Sequence, residues 1–139
     1  MKTFPTLTAL AFAATTTAAL AAGHGMAPMV EASDQSVSNG VVSATRIAAQ
    51  ENGWLVVHRT GADMKPGPVV GHAPIRAGVT TDVAAILTED VQPGDMLMLM
   101  VHSEDGGMQT GIFEYTLGAK EDGPIRVDDA LVMDIITAQ

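Results

Sequence analysis

Beyond residue 33 the chain is cut every 10–15 residues by glycine, proline, asparagine or aspartate, and no interval between the cuts carries a 3.6-residue apolar period. Such intervals are rich in Val, Ile, Thr and Met, and they are short for isolated helices. They satisfy their backbone groups best by pairing with one another as strands. Trp54 to Thr60 (WLVVHRT) is apolar on both sides and reads as a central strand, and Met96 to His102 (MLMLMVH) gives the strongest strand signal. Val37 to Ala48 (with Asn39-Gly40 as a bend or bulge), Val69 to His72 (stopped by Pro74), Thr80 to Leu87 (whose two Ala also permit a helix), Gly111 to Leu117 and Ala130 to Thr137 complete about seven. Turn signals stand at Glu51-Asn52-Gly53, Pro93-Gly94-Asp95, Gly106-Gly107 and Asp122-Gly123-Pro124. The expected fold is all-β: an antiparallel β-sandwich of immunoglobulin-like size over residues 34–139.

Residues 1–22 (MKTFPTLTALAFAATTTAALAA) have one early Lys, a short apolar stretch and a small-residue end, the pattern of a cleaved secretory signal peptide. The apolar run, Leu7 to Leu20, is shorter than the ~20 residues that cross a bilayer. No second long apolar run follows, so no membrane span is expected, and the predicted location is periplasmic or secreted. Residues 23–33 (GHGMAPMVEAS) read as a flexible N-terminal arm.

The chain has no cysteine, which excludes disulfides and thiolate-bound zinc or iron–sulfur centres. Sixteen acids against seven bases give a formal net charge of −9, which argues against nucleic acid as a partner. No G-x-S-x-G, Walker or Rossmann glycine motif is present, and no catalytic residue is expected.

Three constellations suit metal chemistry. Cleavage after Ala21 would put His24 third from a free amine, a square-planar nitrogen set for Cu(II) or Ni(II), with the Met26 and Met29 thioethers suited to Cu(I). Met96, Met98, Met100 and His102 share one face of a strand, with Leu97, Leu99 and Val101 on the other. Alternate side chains stand ~7 Å apart, so core packing is the stronger reading of that row. His58 and His102 lie at the ends of two presumed central strands. If those strands are neighbours the rings could meet, with Glu104 or Asp105 near, as a metal site; a lone His on an apolar strand otherwise reads as a buried, hydrogen-bonded residue. Acid pairs such as Glu89-Asp90 and Asp128-Asp129 lack EF-hand spacing and read as solvated loops.

The order Gly53-Trp54-Leu55-Val56-Val57-His58, Pro68-Val69-Val70-Gly71-His72, Leu99-Met100-Val101-His102-Ser103-Glu104-Asp105, Gly111-Ile112-Phe113-Glu114-Tyr115 and Asp122-Gly123-Pro124 resembles a family of uncharacterised secreted domains, common in cell-surface proteins of halophiles. That resemblance implies an exported β-sandwich module and assigns no residue a role. The expected function is therefore an exported, non-catalytic module that binds or interacts within the cell envelope, where a protein partner is expected. The alternative is a periplasmic copper-binding protein that uses the His/Met arm.

Overall fold

The structure, a computed structural model, describes residues 25–139; the expected signal peptide, its expected cleavage site and His24 lie outside the described residues. Nine strands follow in order: β1 (Met29–Glu31), β2 (Val41–Ala49), β3 (Gly53–Thr60), β4 (Val69–Ile75), β5 (Gly78–Leu87), β6 (Met96–Ser103), β7 (Arg126–Val127), β8 (Ala130–Leu131) and β9 (Met133–Thr137). Seven form one antiparallel sheet in the order β1-β2-β5-β4-β3-β6-β9, and β7 pairs with β8. The all-β, antiparallel architecture is the one the punctuation predicts. Among the described residues no helix is long and apolar enough to cross a membrane.

The sheet curls into two layers. β2 and β3 are separated in the sheet by β5 and β4, yet only residues 50–52 link them. A flat sheet would hold these strands ~14 Å apart, the full stretch of the link; two packed layers lie ~10 Å apart, which a turn spans easily. The bend falls between β4 and β5, where only Gly71–Leu87 and His72–Ile86 are in register. On the far side the outer strands meet. The Ala32 amide donates to Asp134 Oδ2 at 2.9 Å, the Thr137 amide donates to Asp34 Oδ1 at 2.7 Å, and Gln35 bridges Ala138. The result is a sandwich that approaches a closed barrel, with few bare strand edges.

Alternation sorts β3 and β6 cleanly. Leu55, Val57, Leu97, Leu99 and Val101 point inward and share one core with Val42, Ile47 and Ile136. Each such burial stabilises by roughly 1.5–3 kcal/mol. Val56, Met98 and Met100, on the opposite face, are buried as well. Residues 104–125 cross that outer face and place Phe113 and Tyr115 on it.

Four sequence expectations are corrected. The arm does not extend to residue 33: Met29, Val30 and Glu31 pair with Ala48, Ile47 and Arg46, and Val30 is buried. The long edge of β2 would otherwise stand open, and the preceding chain folds back to cover it. Gly111 to Leu117 is irregular, because its amides are taken by side chains: Gly111 donates to Glu104 and Glu114 to Asp122. β4 runs through Pro74 to Ile75, since β5 leaves it unpaired beyond His72 and no amide is missed there. Gly40, at φ 74°, turns the chain so that β2 starts at Val41 rather than Val37.

Candidate functional site

β3 and β6 are neighbours, and their register pairs His58 with Met98, Val56 with Met100, and Trp54 with His102. The two histidines therefore start on either side of the Val56–Met100 pair, on the outer face, and lean toward each other over it. Their Nε2 atoms stand 3.3 Å apart and their ring centroids 5.4 Å apart. Both residues are fully buried. The Tyr115 ring closes over them edge-on, 4.5 Å from His102 and 5.8 Å from His58 by centroid, while its hydroxyl accepts from the Gly118 amide.

Each ring is fixed from behind by a backbone carbonyl. His58 Nδ1 donates to the Gly67 oxygen at 2.8 Å, and His102 Nδ1 donates to the Asp122 oxygen at 2.7 Å. Gly67 can take this place because it has no side chain: a Cβ would stand 2.8 Å from the Arg59 carbonyl, which itself accepts from the Gly67 amide. Asp122 sits at φ 46°, a left-handed conformation that aspartate tolerates. Its amide donates to the Asp105 carbonyl, and its carboxylate accepts from the Glu114 amide at 2.7 Å. Two bonds thus aim one carbonyl at His102.

A carbonyl only accepts, so both rings keep a proton on Nδ1 and, when neutral, present a lone pair at Nε2. Burial lowers the pKa of both. For His102 it outweighs the Asp122 carbonyl, and with the nearby His58 holds the pKa at about 4; for His58 it outweighs the Gly67 carbonyl. At neutral pH the pair is two uncharged imidazoles whose lone pairs face across a short gap with no proton between. Two nitrogens at ~2.0–2.1 Å from one tetrahedral ion stand about 3.3–3.4 Å apart. Carbonyl-fixed Nδ1–H groups are the outer partners that metal-binding histidines use. The 3.3 Å separation of the two Nε2 atoms matches that spacing.

The sequence analysis singled out His58 and His102, and the structure brings them together. Glu104 is not with them: it accepts from Trp54 Nε1 at 2.6 Å and from the Gly111 amide. Met26 is exposed, its sulfur 3.5 Å from an Arg46 nitrogen, and Met29 lies in β1 beside a groove it shares with Val132 and Met133. His72 is exposed on β4, stacked on Phe113 at 4.2 Å. Among the described residues no three His, Cys, Asp or Glu side chains converge. Sequence reasoning missed Gly67, Asp122 and Tyr115. The first two act through backbone carbonyls, which any residue type owns, so no residue pattern announces them.

Residues 28–139 match a family model described as a domain of unknown function (DUF7282). No curated protein matches the chain, and no solved structure does.

Proposed function

Because the chain belongs to this domain-of-unknown-function family, its role has to come from its own residues, and we propose an exported, non-catalytic module that holds a transition-metal ion at the His58–His102 pair. One observation carries the reading: two buried Nε2 atoms 3.3 Å apart whose rings are each oriented by a carbonyl on Nδ1. Export is supported by the leader pattern of residues 1–22. Copper is the ion we favour, since imidazole suits it and the chain offers no thiolate. The arm alternative is weakened by Met29, which the sheet recruits. An envelope protein partner stays part of the proposal, supported by Met108, Ile112 and Leu117, which stand exposed on the covering segment.

The test is titration of correctly processed protein with Cu(I), without oxygen, against a competing chelator. We expect one equivalent bound, lost in His58→Ala and in His102→Ala and kept in His24→Ala. Stoichiometric binding that survives both ring deletions overturns the proposal, as does affinity no tighter than about micromolar.

A further inference from the structure

Two imidazoles leave a buried ion short of donors. Around the His58–His102 gap the candidates are few. On β3 the intervening residue is Val56, which has no donor atom, and on β4 its partner His72 is exposed with its ring stacked on Phe113. From the loop after β3, the Gly67 carbonyl is already bound to His58 Nδ1. From the covering segment, Tyr115 presents its ring edge while its hydroxyl is engaged with Gly118, and the Asp122 carboxylate is engaged with Glu114. Glu104 is held by Trp54 and Gly111. On β6 the residue beneath the gap is Met100. Its pair with Val56 lies midway between the His58–Met98 and Trp54–His102 pairs, and its side chain is shut off from solvent.

Resting on the histidine-pair reading, we infer that the Met100 thioether is the third donor and that the ion is a soft monovalent one, Cu(I), with Ag(I) as its redox-silent stand-in. Two arguments meet here. A thioether selects Cu(I) over the harder divalent ions, and methionine has the rotatable bonds to bring its sulfur up to an ion. The donor set is also wholly neutral. Desolvation rises with the square of charge, so a divalent ion buried among neutral donors costs about four times what a monovalent one does. Met98 faces His58 directly, on the side away from His102, and serves as the internal control.

The experiment compares wild type, Met100→Leu, Met98→Leu and His58→Ala, each checked by circular dichroism. Leu conserves volume closely enough to keep the fold. Affinities for Cu(I), Ag(I) and Zn(II) are measured by competition, and X-ray absorption is recorded on the Cu(I)-loaded forms. We expect Met100→Leu to weaken Cu(I) and Ag(I) by about 10–100-fold or more, a loss at least as large as that from an outer-shell partner. Zn(II) affinity and the Met98→Leu variant should be unchanged, and the sulfur scatterer should vanish only in Met100→Leu. Cu(I) binding that depends on His58 but ignores Met100 overturns the third donor alone. Equal losses for Cu(I) and Zn(II), or a wild type that prefers Zn(II), overturn the soft-ion assignment. A wild type that binds neither Cu(I) nor Ag(I), or binding indifferent to His58, overturns the pair itself.

Discussion

His102 is a titratable group placed where a charge is costly, and pH should report it. Its folded pKa is about 4, below the ordinary 6.5, because burial disfavours the imidazolium. The unfolded chain takes up the proton first as pH falls. Stability of the metal-free protein is therefore fully present above about pH 6.5 and is lost progressively down to about pH 4. The loss from His102 is roughly 3 kcal/mol, and burial of His58 acts in the same direction. Urea denaturation at pH 7.5, 5.5 and 4 measures it; a midpoint indifferent to pH over that range would contradict the burial argument. Gly67→Ala probes the other ring, that of His58. The new Cβ must push against the Arg59 carbonyl, so the oxygen that fixes His58 moves. Metal affinity should fall by about 10–100-fold, with circular dichroism little changed. At this scale the sequence was partly legible: both histidines could be picked out as strand-end residues on apolar runs. Their convergence could not, because it depends on β3 and β6 being neighbours, a fact no local pattern carries.

Strands differ in how loudly they speak. β3 and β6 are long, apolar on both faces and bounded by turn signals, so the sequence names them almost residue for residue. β1 is three residues beside a proline, too short for any period to register, and its pairing comes from the open edge of β2. Gly111 to Leu117 alternates like a strand, yet its Phe113 and Tyr115 serve as a cover over β3 and β6. A residue's spacing reveals which side chains share a face, and nothing about whether that face meets a neighbouring strand or the back of a sheet. If β1 belongs to the domain, deleting residues 25–33 should be costly. The deletion removes the burial of Val30 and the Ala32 bond to Asp134. Together these are worth on the order of 3–6 kcal/mol, read as a drop in the denaturation midpoint. An unchanged midpoint would return those residues to the status of an arm.

At the scale of the whole molecule the two layers are joined by the bend between β4 and β5 on one side and by the meeting of β1 with β9 on the other. Residues 104–125 are an addition to that frame, carrying no strand of the main sheet. Met108 on this segment is 93% exposed, whereas Asp122 and Tyr115 are buried. The segment should therefore exchange amide hydrogens faster than β3 and β6 in the metal-free protein. Loading with Cu(I) should slow exchange at Asp122, whose amide is tied to Asp105 and whose carbonyl orients His102. Exchange unaffected by loading would separate the cover from the pair. The acidic character of the chain, −9 overall, belongs to this scale too, as a source of self-repulsion that favours solubility.

The Asp122 carbonyl has a kinetic consequence. The segment that supplies this carbonyl also carries Tyr115, whose ring closes over both imidazoles, so under the proposed function lifting it would uncover an ion and disorient His102 in the same motion. Under the proposed function, residence time would then depend on how often that roof opens as well as on the strength of the bonds beneath it, and a partner that prised at residues 104–125 would loosen the grip and clear the exit in one stroke.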